Sequence, residues 1–429
     1  MDKFIIQGER VLNGKVKVSG SKNAAVAVLP AAILTGETVL LDNLPDITDV
    51  RTMIAILENL GVSIRRRGIH SLEMKPGNLA KIAPSYDYVK KMRASYYFMG
   101  SLLARFKKAE VPMPGGCDLG PRPIDQHLKG FSALGAKIDI SQGMIRLSAD
   151  RLIGSRIYLD VVSIGATINL MLAAVAAEGR TIIENAAKEP EIVDLAVFLN
   201  AMGSSVRGAG TDVIRIDGVK NFTAVKHSII PDRIEAGTFM MAAAITGGDV
   251  TIEDVIPKHL ESITAKLREV GVSVDVKPEK IIVSAKNPLI AADIKTFPYP
   301  GFPTDLQPPA MVLLATAKGL GVVTENVFDG RYNHVDELRR MGARIKVEGR
   351  TALVEGGHQL SGAPVRATDL RSGAALIVAA TKAKGESQVR AIEHVDRGYD
   401  HLEDKLNNLG ASIRRVKDRD DTILTGFHD

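Results

Sequence analysis

Two kinds of helical pattern alternate along this chain. One is apolar nearly all round: positions 24–34, 94–103, 166–177, 236–245, 309–317 and 373–380 are dominated by small and medium apolar residues and carry few charges. A helix without a polar face is buried on all sides, so these six segments are predicted to pack centrally. The other kind places apolar residues three and four apart, as in Asp194-Leu195-Ala196-Val197-Phe198-Leu199-Asn200-Ala201-Met202, and is predicted to lie on the outside.

Each helix of the second kind ends in an apolar residue, a glycine and a short β-rich segment. The copies are Leu60-Gly61-Val62-Ser63-Ile64, Leu134-Gly135-Ala136-Lys137-Ile138, Met202-Gly203-Ser204-Ser205-Val206, Val270-Gly271-Val272-Ser273-Val274, Met341-Gly342-Ala343-Arg344-Ile345 and Leu409-Gly410-Ala411-Ser412-Ile413. Their glycines are 74, 68, 68, 71 and 68 residues apart. Glycine there suits a left-handed helix C-cap, after which the chain turns into a strand. A unit recurring at this period predicts an α/β protein of six repeats, three per domain, with buried helices and outer sheets. Phe4–Gly8 and Gly14–Val18 resemble the strand pair that precedes the buried helix in later copies, and the last copy ends at Thr422–Gly426. Residues 1–21 are therefore expected to complete the domain formed by 230–429, with 22–229 inserted as the other domain and two short crossings between them.

Length agrees with two cores, since 429 residues exceed what one usually supports. A single cysteine excludes an internal disulfide, the first ten residues lack the apolar core of a signal peptide, and no eighteen apolar residues run together. The expectation is a cytoplasmic protein with no membrane partner. Net charge is +5, but the 55 basic and 50 acidic residues are interspersed, and Arg65-Arg66-Arg67 is the notable basic run. That pattern favours a small anionic ligand over a nucleic-acid groove, and eleven Phe, eight Tyr and no Trp leave little for base stacking. The nine histidines are scattered, none at ligand spacing with Cys or carboxylates, so neither a metal nor another cofactor is expected.

Aligned copies put comparable positions at the starts of the buried helices: Lys22-Asn23, Arg93, Ser163-Ile164-Gly165, Arg233, Thr304-Asp305 and Asp369-Leu370-Arg371. The outer helices are predicted to begin near Asp49–Arg51, Arg122, Glu189–Glu191, His259, Phe328–Arg331 and Asp396-Arg397. Parallel helices gather such termini at one end, where free N–H groups and the helix dipole, joined by Lys22, Arg93, Arg122, Arg331, Arg371 and Arg397, suit phosphate and carboxylate. Asp305 is an acid where other copies carry cations. Beside Thr304 it reads as a helix N-cap; opposite a cationic pocket it reads as a general base for a hydroxyl nucleophile. Cys117 lies in a stretch with glycines at 115, 116 and 120 and prolines at 112, 114, 121 and 123, which predicts a surface loop. Arg122, Lys107 and Lys108 are near it in sequence, so the thiol is a candidate reactive group.

Lys22-Asn23-Ala24-Ala25, Arg93-Ala94-Ser95, Pro114-Gly115-Gly116-Cys117, Gly120-Pro121-Arg122-Pro123, Ser163-Ile164-Gly165-Ala166-Thr167, Phe302-Pro303-Thr304-Asp305, His334, Asp369-Leu370-Arg371 and Asp396-Arg397-Gly398-Tyr399 together resemble the enolpyruvyl transferase family, in the branch acting on UDP-N-acetylglucosamine. The resemblance spans essentially the whole chain and implies the two-domain inside-out α/β barrel. It further implies transfer of the enolpyruvyl group of phosphoenolpyruvate to the sugar 3′-hydroxyl by addition and elimination, the first committed step of peptidoglycan synthesis. On the same resemblance Lys22, Asn23, Arg122, Arg371 and Arg397 hold phosphoenolpyruvate. Asn23, Arg93, Pro121, Val162, Ser163, Ile164, Gly165, Asp305 and Val327 hold the nucleotide sugar. Asp305 accepts the hydroxyl proton, and Cys117 is the proton donor and fosfomycin target, with Lys22 and Arg397 also catalytic. The sequence departs from the common family pattern at Asp118, Gly330 and Pro308-Pro309; a carboxylate beside Cys117 opposes thiolate formation. Two alternatives stand beside this reading: a transferase for another acceptor such as shikimate 3-phosphate, and a silent relative that only binds the nucleotide sugar.

Overall fold

The computed structural model describes residues 2–77, 79, 81–84, 93–113 and 124–418. Contacts divide these residues into two compact units, one of residues 2–19 with 232–418, the other of residues 20–113 with 124–231. The units part at 19–20 and 231–232, two residues from the expected boundaries. In the first unit Asp232 N donates to Ser19 O at 2.9 Å, and in the second Ser21 N donates to Ile230 O at 2.7 Å.

In the unit of residues 20–231 the helices Lys22–Ala31, Phe98–Phe106 and Ile164–Ala174 are buried at nearly every position, and in the other unit so are Arg233–Thr246, Gln307–Thr316 and Leu370–Lys382. Beyond their first turns these helices carry mostly apolar side chains on every face, so only a place enclosed by other elements removes them from water. Helices of the second kind are Thr48–Leu60, Asp125–Ala133, Pro190–Ala201, Glu261–Glu269, Val335–Arg340 and Leu402–Asn408. Pro190–Ala201 departs from the expected outer position, because it packs along Lys22–Ala31 and exposes only Val193, Val197, Asn200 and Ala201. Its apolar residues cover most of its circumference, and its buried Glu191 and Asp194 find partners in Asn23 and His227. The glycine after each of these six helices has a positive φ, between 93° at Gly135 and 108° at Gly61, where any other residue would be strained.

The described strands form six sheets. In five of them a strand pairs in parallel with one neighbour and antiparallel with another, as Asp249–Glu253 does with Asn13–Lys17 and Lys280–Ser284. The N-terminal strand Asp2–Gln7 lies between Glu386–Arg390 and Ser412–Lys417, antiparallel to both. It fills the place that the second strand of a hairpin takes in the other sheets; residues 422–426, expected at the end of the last copy, lie outside the described residues. No helix among the described residues is long and apolar enough to cross a membrane.

Two expected helix starts are corrected. Arg331 lies in a turn at 329–334 ahead of Val335–Arg340, and Arg397 follows the short helix Glu393–Asp396 as its C-cap. Gly330 and the polar run before Val335 form turns in preference to extending a short helix. Neither cation therefore sits at a helix N-terminus.

Candidate active site

The unit of residues 232–418 presents a carboxylate held by two buried guanidiniums. Asp305 lies in the single turn Thr304–Leu306 that leads into Gln307–Thr316. Its Oδ1 is 3.0 Å from Arg331 Nη2 and its Oδ2 3.1 Å from Arg371 Nε; both arginine side chains are 3% exposed, that of Asp305 27%. The N-cap reading of Asp305 fails, since its side chain caps no helix. The cause is local: Pro308 and Pro309 follow Gln307 at the helix start, and proline has no N–H for a cap to accept. The carboxylate is left for the arginines.

Arg371 is fixed by its own helix. Asp369 caps Leu370–Lys382 by accepting from Arg371 N at 2.8 Å and Ser372 N at 3.1 Å, which sets the first turn that carries the guanidinium. The guanidinium lies 5.2 Å from the centre of the Tyr399 ring. Tyr399 Oη and Thr238 Oγ1 are 2.9 Å apart, and Thr238 gives its proton to Ile234 O at 2.8 Å. The Tyr399 hydroxyl is therefore the donor to Thr238, and its lone pairs are free to meet Arg371. Desolvation works against the Arg371 charge, but Asp305, Tyr399 and Asp232 outweigh it and raise its pKa.

Behind this pair, burial pushes fully enclosed His334 down to about 4; Arg331 acts in the same direction and Asp369 against it. His334 is accordingly neutral at physiological pH. Burial works against ionisation of Asp369, yet Ser372, Arg331 and the helix N–H groups hold its pKa below the ordinary value. Arg397 is half-buried after Glu393–Asp396, and half-buried Val327 donates its N–H to Glu325 at 2.8 Å.

The unit of residues 20–231 carries the other described candidates. Lys22 opens its helix with Nζ 3.1 Å from buried Asp49, and Asn23 Nδ2 is 3.5 Å from buried Glu191. Ser163 caps Ile164–Ala174, its Oγ accepting from Ala166 N at 3.2 Å, with Val162 exposed just before it. Gly165 is required by a close approach: a Cβ there would stand 2.7 Å from Tyr96 Oη and 3.1 Å from His127 Cε1. Asn169 Nδ2 is 3.0 Å from His127 Nδ1, so Asn169 donates and the imidazole proton lies on Nε2, beside Gly165. Burial pushes His127 down to about 4, which keeps it neutral. Arg93 begins the turn Arg93–Tyr97. Cys117, Pro121 and Arg122 lie outside the described residues.

Of the residues singled out from the sequence, Asp305 and Arg371 are brought together, while Lys22 meets Asp49 and Asn23 meets Glu191. The sequence gives no sign of the grip of Arg331 on Asp305, the seat of Arg371 on Tyr399, or the buried His127, Asn169 and Glu325. Asp49 and Glu191 enter the sequence reading only as helix starts, and Arg331 as a helix start and one of the anion-binding cations. Their spacing carried the signal, but not which cation each acid would meet. Among the described residues no group of three or more His, Cys, Asp or Glu could hold a metal ion.

The fold is that of the enolpyruvyl transferases. It is similar to the crystal structure of the enolpyruvyl transferase NikO from Streptomyces tendae, with a TM-score of 0.88 and 25% identity over 96% of this chain and 98% of that one. It also shares the fold of EPSP synthase from Acinetobacter baumannii, with a TM-score of 0.74 and 20% identity over 97% of this chain and 100% of that one. The EPSP synthase (3-phosphoshikimate 1-carboxyvinyltransferase) family model matches residues 6–406. UDP-N-acetylglucosamine 1-carboxyvinyltransferase 2 of Bacillus anthracis is 55% identical over 97% of both chains. The Geobacillus kaustophilus protein of the same name is 55% identical over 99% of both, and UDP-N-acetylglucosamine 1-carboxyvinyltransferase of Clostridium botulinum is 53% identical over 97% of this chain and 100% of that one. The chain belongs to the UDP-N-acetylglucosamine 1-carboxyvinyltransferase family.

Proposed function

We propose that this protein transfers the enolpyruvyl group of phosphoenolpyruvate to the 3′-hydroxyl of UDP-N-acetylglucosamine and releases phosphate, the first committed step of peptidoglycan synthesis. Full-length membership of the family carries this conclusion, and the pairing of Asp305 with two buried guanidiniums supplies chemistry to match.

In the reaction the sugar oxygen adds to C2 of phosphoenolpyruvate while C3 gains a proton. Loss of a proton from C3 then expels phosphate and restores the double bond. Lys22, Asn23, Arg122, Arg371 and Arg397 are assigned to phosphoenolpyruvate, whose phosphate and carboxylate suit arginine forks that also orient the enol. Asn23, Arg93, Pro121, Val162 to Gly165, Asp305 and Val327 are assigned to the nucleotide sugar. Cys117 is assigned as the C3 proton donor and Asp305 as the base for the 3′-hydroxyl. Asp305 has a guanidinium on each oxygen, and an anionic substrate competes with it for Arg371.

The finer architecture proposed is an inside-out α/β barrel of three repeats per unit, supported by the recurring strand pattern and the six left-handed glycines. A cytoplasmic location fits the two small, charged substrates. Incubation with phosphoenolpyruvate and each acceptor tests the activity. Phosphate release is expected with UDP-N-acetylglucosamine, and release only with shikimate 3-phosphate would overturn the assignment.

A further inference from the structure

Glu325 is a fully buried carboxylate with no ion-pair partner among the described residues, and the catalytic scheme does not use it. It follows the strand Leu320–Thr324 and is held by hydrogen bonds alone. Its Oε1 accepts from Thr296 Oγ1 at 2.8 Å, Val327 N at 2.8 Å and Phe328 N at 3.1 Å; its Oε2 accepts from Thr304 Oγ1 at 2.9 Å. Asn326 N donates at 2.9 Å to the same Thr296 hydroxyl. Two successive backbone N–H groups, those of Val327 and Phe328, therefore meet one carboxylate oxygen in the manner of an anion-binding nest, and a third, that of Asn326, is tied to the same oxygen through the Thr296 hydroxyl, with the anion supplied by the chain itself.

A buried charge without a counter-charge is costly, and a neutral side chain of this size would be cheaper to enclose. A carboxylate, however, accepts at four lone-pair sites, whereas an amide oxygen offers two. The group is suited to tie several donors on separate segments to one point. Two of those segments are functional on the reading above: Thr304 immediately precedes Asp305, and Val327 is assigned to the nucleotide sugar.

We propose that Glu325 is a positioning residue for the acceptor substrate, fixing the turn that carries Asp305 and the 326–328 segment in one geometry. The proposal rests on the roles given to Asp305 and Val327. It places no demand on phosphoenolpyruvate binding, because none of the four donors to Glu325 belongs to a residue assigned to that substrate.

The test is steady-state kinetics on the full-length protein, with both substrates varied, for Thr304→Val, Glu325→Ala and Glu325→Gln, alongside thermal unfolding and Asp305→Ala. Thr304→Val keeps the shape of a half-buried residue and cuts only the link to Asp305. Its kcat is expected to fall about tenfold with KM for phosphoenolpyruvate unchanged. Glu325→Ala also frees 326–328 and should raise KM for UDP-N-acetylglucosamine about tenfold. Glu325→Gln can keep its oxygen on Val327 and Phe328 and turn its amide nitrogen to Thr304, so it should recover most of the lost kcat. Lower melting temperatures with wild-type kcat and both KM values would overturn the proposal, as would losses confined to KM for phosphoenolpyruvate. Should Glu325→Ala fail to fold, Thr304→Val decides by itself. If Asp305→Ala also retains turnover, the assigned role of Asp305 fails; if only it loses turnover, that role stands and the positioning claim falls.

Discussion

Replacing Asp305 with alanine separates proton transfer from substrate binding, because the two depend on opposite charges in the same cluster. The substitution removes the carboxylate that faces Arg331 at 3.0 Å and Arg371 at 3.1 Å, leaving two guanidiniums that are each 3% exposed. Breaking a buried ion pair from one side costs about 3–5 kcal/mol. Asp305 keeps 27% of its side chain in solvent, so water already screens the pair and about 2–3 kcal/mol is the better expectation. In a unit of this size that loss lowers the melting temperature by roughly 4–12 °C. An anion can replace the missing charge, so phosphate or phosphoenolpyruvate should raise the melting temperature of the variant more than that of the wild type. Turnover should fall by about 10²–10⁴, the usual worth of a positioned general base. KM for phosphoenolpyruvate should not rise, since the substrate no longer competes with a carboxylate for Arg371. Initial rates of phosphate release against both substrates, with melting curves at several phosphate concentrations, measure all four effects. A rise in KM for phosphoenolpyruvate that matches the whole loss in kcat/KM, with kcat retained, would refute the reasoning and make Asp305 a positioning group.

Tyr399→Phe removes the hydroxyl that is pinned by Thr238 and faces Arg371, so KM for phosphoenolpyruvate should rise about three- to tenfold, the worth of about 1 kcal/mol, with kcat near wild type; an unchanged KM would sink the idea that this hydroxyl helps to seat Arg371. Burial raises Glu235 to about 7 from its ordinary 4.5, against the attraction of Lys405. Between those values the folded chain keeps a proton that the unfolded chain has lost, so this group makes stability decline as pH rises through that window. Melting temperatures from pH 4.5 to 8 should decline less for Glu235→Gln than for the wild type, and parallel curves would contradict the assignment. Cys117→Ser should abolish covalent labelling by fosfomycin, read by mass spectrometry; labelling that persists would identify a different nucleophile.

Local signals were legible wherever the physics is local. Six apolar runs became buried helices because no exposed place exists for a helix without a polar face, and six glycines took the left-handed turn that ends the second kind of helix. Where a residue's neighbours come from distant sequence, the reading was incomplete. Arg331 and Arg397 were placed at helix starts by analogy between copies, but turn chemistry at 329–334 and a short helix at Glu393–Asp396 moved both. Asp305 could be weighed as a cap or a base, and the prolines that remove the cap donors were already in view.

By itself the sequence determined the alternation of elements, the period of the repeat and the supply of cations, since periodicity and left-handed turns follow from a few neighbouring residues. Only the tertiary structure decided which charges meet. The strand Asp2–Gln7 lies beside Ser412–Lys417, Asp305 is paired with residues 26 and 66 positions away, and Glu325 gathers donors from three segments. Hydrogen bonds and ion pairs act over a few ångströms, so their partners are set by where packing brings the chain back on itself, and local spacing carries no record of that.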